Sequence, residues 1–344
     1  MSSATLMTST PSTAHRSAAV RSPLAGYALL FAAIALLPLL GVYPIFAMKV
    51  LCYALFACAF NLLVGFTGLL SFGHAAFLGL AAYGAGHALK VWELPTPLGL
   101  AFGTAMAAVA GFAFGWLAIR RSGIYFSMIT LALSQMLFFF FLQAPFTGGE
   151  DGLQSVPRGS LLGLDLKDDE ALYYVVLTIF IAAFWLIYRT VHSPFGQVLT
   201  SIRENEARAT SLGYDTDRFK LVAFVLSAAL AGLAGATKTL VLGFATLTDA
   251  VWTTSGAVVL MTLVGGMGTM VGPIVGALVI IALENKIGDL GKALADFTGV
   301  AWFNGLGESV TLVTGLIFIV CVLAFRRGLV GEAGELLRRW RTAA

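Results

Sequence analysis

The sequence predicts an all-α, polytopic membrane protein, a transmembrane helical bundle of about ten spans, and three observations lead to this fold class. Of the 344 residues, 58% are hydrophobic and only 11% are charged, and the mean hydropathy is +0.88. A typical soluble domain carries roughly 25% charged residues. The apolar residues are gathered in long windows, and most Lys and Arg residues lie between those windows.

Ten apolar windows approach the ~20 residues that a helix needs to cross a bilayer. Each should be helical, because lipid cannot form hydrogen bonds with backbone groups. In chain order the windows are Ala25 to Val42, Ile45 to Phe66, Gly68 to Leu89, Pro97 to Ile119, Gly123 to Ala144, Ala171 to Tyr188, Phe219 to Leu242, Trp252 to Gly266, Met270 to Leu283 and Leu306 to Phe325.

Charge predicts the orientation, because Lys and Arg concentrate in cytoplasmic loops. With both termini cytoplasmic, 14 of the 21 Lys and Arg residues lie inside and 12 of the 18 acids lie outside. A single long helix over Trp252 to Leu283 would place the arginine-rich C-terminus outside. We therefore expect the chain to reverse within GGMGTMVGP, with a re-entrant segment at Gly265 to Pro273 as the alternative.

The predicted domain organisation has three parts. Residues 1–24 are expected to form a disordered cytoplasmic tail, residues 25–326 the transmembrane domain with a cytoplasmic loop at 189–220, and residues 327–344 a second cytoplasmic tail. The first tail has the composition of an organelle transit peptide, but a solvated bacterial tail is the preferred interpretation. Cys52, Cys58 and Cys321 lie within predicted spans without metal-ligand spacing and are interpreted as apolar fillers.

No part of the sequence predicts an enzyme. The polar segments are about 30 residues long, too short for an independent catalytic core. No G-x-x-x-x-G-K-[ST] phosphate loop is present, and GGMGTMVG lacks the strand-turn-helix setting of a dinucleotide site. We therefore expect no cofactor and no metal in this chain, and any nucleotide chemistry must come from a partner.

The loop at 189–220 predicts a capped amphipathic helix of about five turns. Ser193 followed by Pro194 is a typical helix start, and Gly213 is a natural stop. Helical spacing relates the apolar residues Phe195, Val198, Leu199, Ile202, Ala209 and Leu212, while Arg203, Glu204, Glu206 and Arg208 face elsewhere. The helix could lie on the bilayer surface or insert its apolar face into a partner's groove.

Small residues recur at helical spacing and predict close packing between helices in lipid. The fourth window has Gly99, Gly103, Ala107, Gly111 and Gly115, the seventh has Ser227, Ala231 and Gly235, and the ninth has Gly272 and Gly276.

Polar residues within apolar windows are costly and often functional. They nominate Asn61, Ser71, His74 and Gln135 for a translocation path, with His87 and Ser134 as further candidates. For His74 the alternative is a neutral imidazole bonded to a nearby carbonyl group. Lys49 and Lys238 are expected to snorkel to water at the outer ends of their spans, with contact between one of them and a substrate carboxylate as the alternative.

Two glycine-rich segments, Gly68 to Gly73 and Gly265 to Gly272, are candidate helix breaks of the kind that bind carboxylates in transporters. The acidic turn from Thr147 to Gly152 is either a receptor for a partner outside the membrane or an ordinary solvated loop.

Five segments, in order along the chain, resemble the membrane permease subunits of ATP-binding-cassette (ABC) importers for branched-chain amino acids. They are GLLSFGHAAFLGLAAYGAG from Gly68, RRSGIYFSMITLALSQM from Arg120, FTGGEDGLQSVPRG from Phe146, the segment SPFGQVLTSIRENEARATSLGYDTDRFKLVAFVLSAALAGLAGA from Ser193, and LVGGMGTMVGPIVGALV from Leu263. The resemblance covers most of the chain from Gly65 to Glu284.

The resemblance implies an importer in the bacterial inner membrane. Its parts would be a second, related permease subunit, two cytoplasmic ABC ATPase subunits that bind ATP, and a periplasmic solute-binding protein. Similar proteins seat the loop from Ser193 to Gly213 on the ATPase. The residues nominated for this coupling are Ser193, Phe195, Ile202, Arg203, Glu204, Glu206, Ala207 and Gly213.

Part of this loop departs from the usual coupling pattern of the family. Glu206, Ala207 and Gly213 resemble the signature, but Ala209 replaces a second adjacent Ala, and Gly213 lies seven residues beyond Glu206. The same machinery for urea, amides or other amino acids, or a self-contained secondary transporter, remains an alternative. Nothing in the sequence indicates a nucleic-acid partner.

Overall fold

The computed structural model describes residues 23–161, 163–298, 315–316, 319, 328–332 and 335. Residues 1–22 of the expected first tail, nearly all of the tenth window and most of the second tail lie outside the described residues. Expectations for those segments therefore stay predictions.

The described chain is an all-α bundle, as predicted. Its helices are α1 (Pro23–Ala35), α2 (Pro44–Phe66), α3 (His74–Lys90), α4 (Thr96–Ala118), α5 (Ile124–Gln143), α6 (Asp169–Val191), α7 (Pro194–Glu204), α8 (Glu206–Ser211), α9 (Thr216–Leu242), α10 (Trp252–Gly265) and α11 (Gly272–Thr298). Short 3-10 turns occupy Pro38–Leu40, Pro145–Thr147, Gly149–Asp151 and Leu247–Asp249, and an antiparallel hairpin pairs β1 (Ser160–Leu161) with β2 (Leu164–Asp165).

Five helices of the described chain, α2, α4, α5, α6 and α9, are long and apolar enough to cross a membrane. Helix α9 lies at the centre and packs against α2, α3 and α4, whereas α6 covers α2, and α1 packs on α6. The core is therefore a stack of apolar helices around α9.

The third window forms a shorter helix than expected. Helix α3 begins at His74 rather than at Gly68, because Gly68 has a φ of +78° and Ser71 turns back to accept a hydrogen bond from the Gly73 amide at 3.2 Å. Residues 67–73 thus form a turn instead of the first turns of a span.

The eighth window is also not a complete spanning helix. Helix α10 has 14 residues, about 21 Å at 1.5 Å per residue, against a hydrocarbon core of about 30 Å. It follows a buried irregular segment whose backbone is satisfied by protein, since Leu153 and Ala245 exchange two hydrogen bonds of 2.9 Å. Such backbone is tolerated in a membrane only where protein covers it.

Helices α10 and α11 pack side by side after a turn at residues 266–271. Gly276 lies against the Met261 carbonyl group and Gly265 against the Gly272 carbonyl group, so a Cβ at either glycine would overlap backbone. The two helices run back along each other, so the chain reverses at this turn, as both the paired-span and the re-entrant alternatives require.

Candidate functional site

The loop that joins α6 to α9 is built as a capped helix, α7. The Ser193 hydroxyl accepts a hydrogen bond from the Gly196 amide at 3.3 Å and donates one to the Thr190 carbonyl oxygen at 2.6 Å, with Pro194 as the first helical residue. The side chain of Ser193 therefore fixes the angle at which the chain leaves α6.

The five-turn helix that the pattern predicts is interrupted at Asn205. Asn205 has extended φ/ψ angles of −159° and 98°, and its side-chain oxygen accepts a hydrogen bond from the Arg208 amide at 3.0 Å. The single-helix prediction is wrong because Asn205 caps a new helix more favourably than it continues the old one. Gly213, at a φ of +89°, ends α8 as expected.

The apolar side of α7 and α8 packs on the bundle of this same chain. Leu199, Ile202 and Ala209 are only 1–3% exposed, and Phe195 stacks on Phe219 with ring centroids 5.5 Å apart. These side chains are thus unavailable as anchors in a partner's groove, although Leu212 is 70% exposed.

The opposite side of α7 and α8 is exposed and polar. We call this surface the docking face; its exposed residues are Ser201, Glu204, Ala207, Arg208, Ser211 and Leu212. A partner of this loop would therefore contact charged and small residues around Ala207, and Leu212 would be the exposed member of the hydrophobic stripe that it meets.

A charge pair joins α8 to the first turns of α9. Lys220 Nζ donates to Glu206 Oε1, and the Thr216 hydroxyl lies 3.4 Å from the same oxygen. The Lys220 side chain is 5% exposed and that of Glu206 is 43% exposed. Because Asp215 also caps α9 at the Arg218 amide, α8 and α9 meet in a fixed geometry.

Arg203 connects α7 to the two glycine-rich turns. Its guanidinium donates to the Gly65 carbonyl oxygen at the end of α2, and Nη1 lies beside Gly268 in the turn between α10 and α11. The aliphatic part of Arg203 covers Gly68, where a Cβ would lie 3.1 Å from Cγ. A displacement of α7 would therefore change the contacts of Arg203 with both turns, the one after α2 and the one between α10 and α11.

Asn61, nominated for a translocation path, is fully engaged in holding the α10–α11 turn. Its Nδ2 donates to the Thr269 carbonyl oxygen and its Oδ1 accepts from the Gly268 amide, both at 2.9 Å. Ser71 is completely buried and caps the chain before α3. Neither side chain is open to a solute in this structure.

His74 is completely buried in an aromatic cage. Phe60, Phe77 and Phe224 meet its ring edge-on at centroid distances of 5.2–6.0 Å. Its Nε2 lies 2.8 Å from the Ser227 hydroxyl, which in turn donates to the Ala59 carbonyl oxygen at 2.5 Å. Since that hydroxyl has one proton, Nε2 must carry the proton of the imidazole. The arrangement matches the structural alternative, with a serine placed between the ring and the carbonyl.

Three further polar candidates have a buried atom without a hydrogen-bond partner among the described residues: Gln135 Nε2, Ser134 Oγ and His87 Nδ1. Gln135 and Ser134 lie on α5, which packs on the bundle along one side and exposes large apolar residues such as Met136 on the other. The structure does not bring Gln135 together with Asn61, Ser71 or His74 through any hydrogen bond.

The small-residue stripes lie at helix contacts. Gly99 and Gly103 meet α3, whereas Gly111 and Gly115 meet α9, and a Cβ at Gly103 would lie 2.6 Å from the Ala81 carbonyl oxygen. Gly235 of α9 meets the Leu78 backbone, and Gly272 meets the Gly266 carbonyl group. These glycines let the central helices approach to backbone contact.

The opposite end of the bundle holds an ion pair that sequence reasoning missed. Lys238 Nζ pairs with Asp249, and their side chains are 7% and 3% exposed. Tyr53 lies below the ammonium group, with its ring centroid 5.9 Å away. The expectation that Lys238 snorkels to water is wrong, because a partner within the protein replaces water. A lysine and an aspartate 11 residues apart, flanked by apolar windows, were the available signal.

Comparison with known proteins places the fold among solute permeases. The profile of the family described as "Branched-chain amino acid transport system / permease component" matches residues 44–325. No solved structure matches the chain.

Among curated proteins, the chain is similar to the "High-affinity branched-chain amino acid transport system permease protein LivM" of Escherichia coli (strain K12). Identity is 28% over 269 residues, which is 70% of this chain and 62% of that protein. LivM of Salmonella typhimurium is 27% identical over the same shares. The "Ribose import permease protein RbsC" of Bacillus subtilis (strain 168) is 30% identical over 52% of this chain and 51% of its own length. The chain thus spans about three fifths of the length of the two LivM proteins.

Proposed function

This chain belongs to the family of branched-chain amino acid transport permease components, and from that membership we propose that it is the membrane subunit of an ATP-driven importer for Leu, Ile and Val. The names of the two LivM relatives support this substrate class. The subunit forms the translocation path together with a second, related permease subunit. Two cytoplasmic ABC ATPases supply the energy, and a periplasmic binding protein delivers the solute.

The observation that carries the proposal is the construction of α7 and α8. Leu199, Ile202 and Ala209 pack against the bundle, while a docking face that contains charged residues and Leu212 is left open. A helix that merely lay on a bilayer surface would turn its apolar side outward into the headgroups. An apolar side packed on the bundle and a polar side open to water instead suit contact with a partner protein in the aqueous phase.

The contacts of α7 and α8 supply a route for coupling. Movement of the ATPase subunits on the docking face would displace α8, and the Glu206–Lys220 pair would carry that displacement into α9 at the centre of the bundle. Arg203 would carry it to the turns that follow α2 and α10. Small shifts at packed helices can switch a bundle between discrete arrangements.

The proposal also specifies on which side of the membrane the docking face lies and which subunits catalyse ATP hydrolysis. The docking face and both termini lie on the cytoplasmic side of the bacterial inner membrane, consistent with the charge distribution of the loops. This chain is not an enzyme; ATP binding and hydrolysis belong to the partner subunits.

An uncoupling experiment tests the proposal. The complex is purified through this chain, reconstituted in liposomes, and assayed for ATP-dependent uptake of radiolabelled L-leucine and for ATP hydrolysis. We expect Glu206→Gln to lower the leucine taken up per ATP, because it removes the charge that ties α8 to α9. Glu170→Gln, an exposed acid at the other end of the bundle, is the matched control.

Two outcomes would contradict the proposal. One is leucine uptake at full rate by this chain alone, driven by an ion gradient and without ATPase subunits. The other is full coupling in both Glu206→Gln and Gly213→Ala.

A further inference from the structure

A polar cavity of about 320 Å³ lies at the end of the bundle opposite to α7 and α8. Helix α9 runs from Thr216 beside α8 to Lys238 at the cavity, a distance of about 33 Å at 1.5 Å per residue. The walls come from α2, α9, α10, α11 and the segment 244–249. The volume lies in the range of small-molecule sites, roughly 300–1,000 Å³.

Four charged side chains line this cavity. Two of them form an ion pair with each other, and the other two do not form one within the described part of the chain. Lys238 and Asp249 pair with each other and neutralise their charges inside the protein. Lys49 of α2 and Glu284 of α11 are half-buried, and neither forms a hydrogen bond or an ion pair with any residue that the structure describes. Charged groups at such depth are normally paired. Lys49 and Glu284 attract each other electrostatically, but neither charge has a hydrogen-bond partner in the cavity among the described residues.

The remaining wall is largely apolar. Leu242, Phe244, Ala257, Met261 and Ile281 line it together with threonine side chains. The cavity therefore combines two opposite charges with a hydrophobic surface.

We infer that this cavity binds the head group of an α-amino acid, with the carboxylate at Lys49, the ammonium at Glu284 and an aliphatic side chain against the apolar wall. The inference rests on the proposed function, for which it supplies a substrate site within the permease. A simple anion would satisfy Lys49 but face Glu284, and a simple cation would do the reverse. A ligand that carries both charges provides a hydrogen-bonding partner of opposite charge to each of the two groups at once.

Photolabelling of the unmodified complex is the first test. A diazirine analogue of L-leucine is irradiated with the reconstituted complex, and labelled peptides are identified by mass spectrometry. We expect labelling in residues 44–66, 238–261 or 272–284, with competition by excess L-leucine. The corresponding diazirine acid without the amino group should label these peptides at least tenfold less. Labelling that falls elsewhere, or equal labelling by the acid, would overturn the inference.

Charge-neutralising variants are the second test. Lys49→Gln and Glu284→Gln should each lower leucine uptake about tenfold, the effect expected when one charge-assisted hydrogen bond is lost. Lys167→Gln and Glu170→Gln, which are exposed charges at the same end, should transport at the wild-type rate. Basal ATP hydrolysis by each complex verifies that it has assembled.

The results separate this inference from the proposed function. Wild-type uptake of leucine together with unchanged Lys49→Gln and Glu284→Gln variants would overturn the cavity assignment alone. Absence of ATP-dependent amino acid uptake by the wild-type complex would overturn the proposed function, and the ligand assigned to the cavity with it.

Discussion

Helix α9 has a buried lysine near each end, and the carboxylate partners of the two lysines differ in their exposure to solvent. Lys220 pairs with Glu206, a carboxylate that is 43% exposed, whereas Lys238 pairs with Asp249, which is 3% exposed. A pair with one partner in water contributes little to stability, but removal of one member of a fully buried pair leaves an uncompensated charge. The pair at the α7–α8 end is therefore suited to movement, and the pair at the other end to fixing the fold.

The largest effect is expected at the buried pair. Asp249→Asn should lower the free energy of unfolding by about 3–5 kcal/mol, because Lys238 then remains charged without a counter-ion in the protein interior. Thermal unfolding of the purified protein in detergent measures the loss.

A double variant separates the effect of charge on stability from the effect of side-chain volume at this site. Lys238→Met combined with Asp249→Leu should recover most of the stability, since it removes both charges at similar volume. If Asp249→Asn alone unfolds at the wild-type temperature, the contrast between the two ends of α9 is lost.

An intermediate effect is expected at Asn61, which ties α2 to the turn between α10 and α11. Asn61→Ala removes two hydrogen bonds of 2.9 Å and leaves the Gly268 amide and the Thr269 carbonyl group unpaired. We expect a loss of about 2 kcal/mol. Asn205→Ala, which removes only an exposed helix cap, should cost about 1 kcal/mol in the same unfolding assay. Equal losses would show that the turn does not depend on Asn61.

A smaller effect on stability is expected at the Glu206–Lys220 pair, in which only the carboxylate is partly exposed. Glu206→Gln should cost only about 1 kcal/mol, because water already solvates much of this carboxylate. Its effect on leucine uptake per ATP should nevertheless exceed that of Asn205→Ala. A stability loss as large as that of Asp249→Asn would mean that Glu206 is a structural residue and not a coupling element.

An effect on backbone conformation alone is expected at Gly213. Its φ of +89° disfavours any other residue, but a Cβ there would meet nothing within 4 Å. Gly213→Ala should therefore cost about 1 kcal/mol, through backbone conformation alone. A stability assay alongside uptake shows whether the turn after α8 needs this conformation for coupling. A loss beyond about 2 kcal/mol would indicate contacts that the open surface at Gly213 does not show.

The fold class followed from composition and charge because both report directly on the bilayer. Local cap chemistry also placed Ser193 and Gly213 correctly, since those signals act within four residues. The break at Asn205 was missed because the helical spacing of apolar residues continues across it. The roles of Asn61 and Arg203 depend on partners up to 208 residues away in the chain, and a single sequence carries no signal for such pairings. The apolar stripe of α7 was assigned to the bilayer surface or to a partner's groove, and both assignments are wrong, because its most buried residues pack on the bundle of this chain.

The central claim is that the docking face of α7 and α8 contacts a cytoplasmic ATPase. Cysteine cross-linking tests it directly, in a background with Cys321→Ser and with the buried Cys52 and Cys58 retained. Ala207→Cys places a thiol on the docking face, and Ala209→Cys, at a residue that is 1% exposed, is the control on the same helix. The account predicts that Ala207→Cys, but not Ala209→Cys, cross-links to the ATPase subunit and resists a membrane-impermeant thiol reagent added outside intact cells. Labelling of Ala207→Cys by that external reagent would contradict it.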